Sequence, residues 1–317
     1  MSPARRDRAG LLGLGFVALA LRLAYHIDHD EDLDSLRFRL AVERFDIAAL
    51  RPHAPFYPVY IAAAKLVAGL GTSAHLALGI VSAAAGAALV VLTALLAFEL
   101  LGRRAAWIAG ALALASPFLW LSSEKLLSDV PGAAGTTAAL WLLARARRVP
   151  GPDRAASLRT VALITLGVGL GVRLSYFPFA IVAMIVVARA EGGRGAYLTR
   201  ARDLAVGVVP WLVPLVILAG SRPLVIAALG QGTATFLVDT FKWSDGQFHV
   251  GAFVGDVALQ LVLAGVTAVG RTAGNWETGG TVVVSSAAGL VTGALTGLTY
   301  ALMQRPECSY TGSLVCW

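Results

Sequence analysis

Long apolar runs, separated by short polar and arginine-rich segments, occupy most of the chain. Residues 10–27, 75–101, 105–121 and 130–144 are four such runs, and arginines stand at the ends of several of them. The stretch 158–189 is either one overlong helix or two short ones broken at Arg173, Ser175 and Pro178. Arginines follow it at 189, 194, 200 and 202. A single span would put them outside, against the positive-inside bias, so two short spans are expected. Further runs cover 204–218, 251–269 and 281–303, the last with Gly289, Gly293 and Gly297 at the spacing of close helix packing. The pattern predicts an all-α polytopic membrane protein with about nine transmembrane helices. No series of short alternating strands, as a barrel requires, is visible.

One stretch breaks this pattern. Residues 28–61 carry Asp28, Asp30, Glu31, Asp32, Asp34, Glu43 and Asp46, seven of the nineteen acidic residues. Within it, residues 35–46 have helical periodicity. Phe38, Val42 and Phe45 line one stripe, Leu36 and Leu40 a neighbouring one, and charged residues fall largely opposite. Pro52, Pro55 and Pro58 then interrupt the chain before a second short helix over 59–70. The expectation is one transmembrane domain over 1–317. It has an outer-face loop at 28–70 with two juxtamembrane amphipathic helices lying at the interface, and a second outer loop at 221–250.

Composition narrows the class further. The 317 residues are 57% hydrophobic and 14% charged, with a mean hydropathy of +0.73, so the lipid bilayer is the expected surrounding. The net charge of +7 comes from arginines between the runs and marks topology, not nucleic-acid contact. Arg5, Arg6 and Arg8 before the first run place the N-terminus in the cytoplasm and the acidic loop outside. Cys308 and Cys316 match no metal-site spacing; no cofactor is expected, and the sequence leaves a divalent-metal requirement open.

Carboxylates crowded on one outer loop, against an apolar scaffold, are where chemistry is expected. Asp34, at the start of the 35–46 helix, suits a general base and equally an N-cap, a role Ser35 shares. Asp32 is the second candidate base, or a solvated loop charge. Arg173, inside an apolar stretch, either meets a phosphate or snorkels outward. His53 contacts phosphate or acceptor, or stabilises its turn. Lys65 is a weaker phosphate candidate, as are Lys125 and Arg222. Tyr57, with Tyr60, Trp243 and Phe248, fits a sugar platform or an interface belt. Asp129 precedes Val130-Pro131 and reads first as a helix cap, and Glu99 as the i,i+4 partner of Arg103. Asp28, Asp30 and Glu31 are expected on flexible chain.

The order Asp32-Leu33-Asp34-Ser35-Leu36-Arg37-Phe38, then Phe45-Asp46, then Pro52-His53-Ala54-Pro55-Phe56-Tyr57-Pro58-Val59-Tyr60 resembles the first outer loop of GT-C superfamily glycosyltransferases. Bacterial members of the protein O-mannosyltransferase and aminoarabinose transferase type are the most similar. Ser123-Glu124, Ser128-Asp129-Val130-Pro131-Gly132 and Gly171-Val172-Arg173-Leu174-Ser175-Tyr176 resemble later segments of the same group. Ala54 and Phe56 stand where Pro and Gly are usual. The chain is shorter than typical members and is read as C-terminally truncated. The resemblance implies a polyprenyl-phosphate-linked sugar donor and a glycan, lipid or protein acceptor. It also implies transfer with inversion at the outer face of the bacterial inner membrane, with Asp34 as base. The competing readings are a transporter or flippase, and an inactive relative of the transferases.

Overall fold

The computed structural model describes residues 3–219, except 31, 48, 50 and 54, and farther on 243–244, 247–248, 309–311 and 313–315. The chain divides into two compact units, Met1–Leu237 and Val238–Trp317. In the second, Trp243–Ser244 pairs antiparallel with Gln247–Phe248, and Ser309–Thr311 with Ser313–Val315. The expected spans at 251–269 and 281–303, Arg222, and both cysteines lie outside the described residues.

The described part of the first unit is helical. In order come α1 (Pro3–Ala24), α2 (Leu33–Glu43), α3 (Pro58–Ala68), α4 (Ala74–Leu101), α5 (Arg103–Ala115), α6 (Pro117–Glu124), α7 (Asp129–Ala146), α8 (Pro152–Val172), α9 (Phe177–Glu191) and α10 (Arg194–Ala219). A 3-10 turn, Leu174–Tyr176, joins α8 to α9. Among the described residues four helices, including the 3-10 extension of α9, are long and apolar enough to cross a membrane: Ala74–Leu101, Pro152–Val172, Leu174–Glu191 and Arg194–Leu218. A fifth arises if α5 and α6, bent by 55° at Ser116-Pro117, count as one. The apolar part of α1, Ala9–Ala24, is shorter than a span, and α7 is not among those long and apolar enough. Both had been expected to cross.

Local chemistry explains the breaks. Ser73 and Ser116 accept from the backbone N–H groups of Leu76 and Leu119 and so cap α4 and α6. Gly102, with φ of 92°, turns α4 directly into α5 in a conformation closed to most other residues. The break expected between the two short spans is present, at Arg173–Tyr176, with Pro178 in the first turn of α9.

α4 is the central helix, packed on α1, α3, α5 and α7, while α8 lies against α7 and α10. Gly167 and Gly207 mark the α8–α10 crossing. A Cβ on either would collide with the backbone of the other helix, and Trp211 Nε1 donates to the Gly167 carbonyl at 2.9 Å. α2 and α3 sit over one end of this bundle. Phe38, Val42, Tyr60, Ile61, Leu78 and Leu126 form the apolar cluster that anchors them.

Candidate functional site

The site is assembled around Phe38. Its ring is almost wholly buried and meets Tyr57 and Tyr60 edge-on, at centroid distances of 4.9 and 5.3 Å. That packing fixes α2, whose start is set by Asp32. The Asp32 carboxylate accepts from Ser35 N–H at 2.7 Å and is the N-cap. The expected cap at Asp34 or Ser35 is therefore corrected by two or three residues. Asp34 lies in the first turn of α2 with its side chain half exposed.

Beyond α2 the chain folds back at once. Asp46 and Arg51 exchange two backbone hydrogen bonds of 2.8 Å, closing the intervening loop. This returns His53 to the face of Phe38, at 5.3 Å between centroids. His53 Nδ1 then faces Asp34 Oδ1 at 3.4 Å, and Nε2 meets the Tyr57 hydroxyl at 3.1 Å. Phe56 and Tyr57 both have positive φ, 74° and 45°, which is uncommon for residues carrying a Cβ. At Phe56 the backbone thus takes a conformation that favours glycine. Its buried ring packs with Leu215 and Trp211, which holds the strained turn in place.

The third contribution comes from the α8–α9 break. Arg173 donates from Nη1 to Asp129 Oδ2 at 2.9 Å and to Ser128 Oγ at 3.1 Å, and from Nε to Ser175 Oγ at 3.1 Å. Gly132 admits this junction, since a Cβ there would lie 2.6 Å from the Tyr176 ring and 3.0 Å from Arg173 Cβ. Asp129 is not the expected cap. Ser128 occupies the N-cap position without a side-chain cap bond, and the Asp129 carboxylate is turned to Arg173.

Electrostatics link these groups. Burial pushes the Tyr57 hydroxyl up to about 12, with Arg173 opposing and Asp34 and Asp129 adding to the rise. Burial likewise holds His53 below the usual histidine range, helped by Arg37 and Arg173 and resisted by Asp34 and Asp32. Five of the residues singled out in the sequence, Asp34, His53, Tyr57, Arg173 and Asp129, thus share one electrostatic neighbourhood.

The remaining candidates have other places. Lys65 donates to the Val42 carbonyl at 2.7 Å and ties α3 to the end of α2. Asp30 is held, contrary to expectation: Arg39 Nε donates to it at 2.9 Å, and His75 Nδ1 lies 3.4 Å away. Glu99 reaches Arg145 on α7 at 3.2 Å, a cross-helix partner that the sequence did not suggest. Tyr176 was missed as a site residue. Its hydroxyl donates to the Asp129 carbonyl at 3.4 Å, and its sequence signal was its place at the end of the segment 171–176 beside Arg173. Among the described residues no group of three or more His, Cys, Asp or Glu is arranged to hold a metal ion. No protein-family model, curated protein or solved structure matches the chain.

Proposed function

We propose that the chain is a membrane glycosyltransferase of GT-C type that moves a sugar from a polyprenyl-phosphate donor to an acceptor hydroxyl at the outer membrane face. The supporting observation is the convergence of Asp34 with Arg173 and Asp129, contributed by elements more than ninety residues apart in sequence. An acceptor hydroxyl is a weak nucleophile until a base takes its proton. Asp34, half exposed and free of the capping role, suits that task. The hydroxyl oxygen forms its bond to the anomeric carbon as its proton passes to Asp34. The bond from that carbon to the phosphate oxygen breaks, and the electron pair leaves with the phosphate. Direct displacement inverts the anomeric centre. Arg173, which already donates to a carboxylate through Nη1, is the natural partner for the departing phosphate.

A transporter or flippase is the second reading. A break between two apolar helices with an ion pair beside it is what that reading requires. Vesicles containing the purified full chain separate the two. A panel of radiolabelled polyprenyl-phosphate sugars is supplied with native membrane lipid and protein as acceptors. Label covalently attached to an acceptor supports transfer, whereas label crossing the bilayer still on its polyprenyl carrier supports the flippase.

A further inference from the structure

We propose that His53 positions the Asp34 carboxylate for proton acceptance, donating to it from Nδ1 while Nε2 accepts from the Tyr57 hydroxyl. The inference rests on the glycosyl-transfer reading above. It starts from the direction of the two ring nitrogens. Nε2 is 3.1 Å from Tyr57 Oη, and Nδ1 is buried, has no hydrogen-bond partner and faces Asp34 Oδ1 at 3.4 Å. A neutral imidazole has one donor and one acceptor, so the partner of one nitrogen sets the role of the other.

The carboxylate decides that role. It only accepts, whereas the Tyr57 hydroxyl can donate or accept. The ring proton therefore sits on Nδ1, directed at Asp34, and Nε2 accepts from Tyr57. Burial favours neutral His53, as this tautomer requires. The ring itself is held by Phe38 and Tyr57 at 5.3 and 5.0 Å. At 3.4 Å the Nδ1 contact is longer than a good hydrogen bond, and contacts of this kind tighten when substrate closes the site. Held at Oδ1, Asp34 presents its other oxygen to the acceptor proton. His53 is thus a positioning residue; Asp34 takes the proton.

Two substitutions separate positioning from packing. His53→Phe keeps a ring between Phe38 and Tyr57 but removes the donor. His53→Asn loses the ring but places an amide N–H near the position of Nδ1. In the purified full chain, His53→Phe is expected to lower kcat by about 10²-fold, the cost of a misplaced catalytic group, with donor KM unchanged. The acid limb of its pH profile moves to higher pH, because a hydrogen bond to the charged carboxylate is lost. His53→Asn recovers most of the rate and the limb. A second measurement needs no turnover: 15N spectra of the imidazoles, with His53 assigned by its loss in His53→Asn, are expected to show the Nδ1-protonated tautomer at neutral pH. A folded wild-type protein that transfers no sugar from any donor overturns the glycosyl-transfer reading. Wild-type kcat in His53→Phe, equal losses in both variants with an unmoved acid limb, or an Nε2-protonated ring overturns the positioning role alone.

Discussion

The two ends of the α8–α9 pair use the same residue types in opposite ways. At one end, Arg200 on α10 donates from Nε and Nη2 to both oxygens of Glu191, at 2.8 and 2.7 Å, and from Nη1 to Asp203 at 2.6 Å and Thr160 at 2.7 Å. Arg159 adds a 3.0 Å bond to Glu191, and Thr160 donates to Asp203 at 2.9 Å. Arg200 and Asp203 are nearly inaccessible, with side-chain exposures of 6% and 3%. At the other end, Arg173 and Asp129 remain 29% and 46% exposed, and the turn opposite them carries two residues in left-handed conformation. A buried, fully paired network costs most when one member is removed and does little else. A half-open pair over a strained turn keeps groups accessible to a substrate. The first end clamps three helices together; the second end leaves its charged groups open to solvent.

The largest effect is expected at Asp34. Asp34→Asn lowers transfer by about 10²–10⁴-fold, the usual contribution of a general base, and leaves the melting temperature unchanged. Asp32→Ala is its opposite. Losing the cap costs about 0.5–2 kcal/mol of stability, while turnover per folded molecule stays at the wild-type level. Transfer rates and thermal unfolding, measured on both variants, check the division. If Asp32→Ala carried the rate loss, the two roles would be reversed.

Next in size is the clamp. Arg200→Met strands Glu191 and Asp203 without their shared partner and is expected to destabilise the protein by about 3–5 kcal/mol, the cost of breaking a buried pair. Arg200→Lys restores little, because a single ammonium cannot reproduce the bidentate contact. Thermal unfolding of the two variants tests this, and a shift no larger than that of a surface arginine would refute the contrast between the ends. Arg173→Ala, by contrast, is expected to raise donor KM by about tenfold or more, the loss of a charge-assisted hydrogen bond, with little change in unfolding.

Smaller effects follow from His53 and Lys65. Burial holds the His53 pKa below that of an unfolded histidine, so unfolding takes up a proton that the fold excludes. Its stability contribution is complete above about pH 6.5, the unfolded value, and is lost as pH falls through that value toward the folded one. Unfolding temperature measured against pH is expected to decline on acidification, and less steeply in His53→Phe. Lys65→Met removes one bond to the Val42 carbonyl and costs about 0.5–1.5 kcal/mol. Donor KM stays constant in that variant; a raised KM would return Lys65 to the phosphate site.

What the sequence revealed depended on range. The apolar runs, the break at Arg173 and Pro178, and the short helix after Pro58 are local features, written in periodicity and proline. The choice of cap was not legible, because Asp32, Asp34 and Ser35 all suit a helix start and only the packing of Phe38 sets the helix phase. Contacts across the fold were equally hidden. Asp30 with His75, Glu99 with Arg145, and Asp129 with Arg173 join residues forty or more positions apart. For Asp30 and Asp129 a local reading, flexible chain or cap, was physically sound and was displaced by a partner brought near by helix packing.

The central claim is a direct displacement at the anomeric carbon of a polyprenyl-phosphate sugar, with Asp34 taking the acceptor proton. Its most direct test is the anomeric configuration of the first product formed by the wild-type chain, read by NMR from a donor of known configuration. The account predicts a product of opposite configuration to the donor. A product that retains the donor's configuration would contradict it.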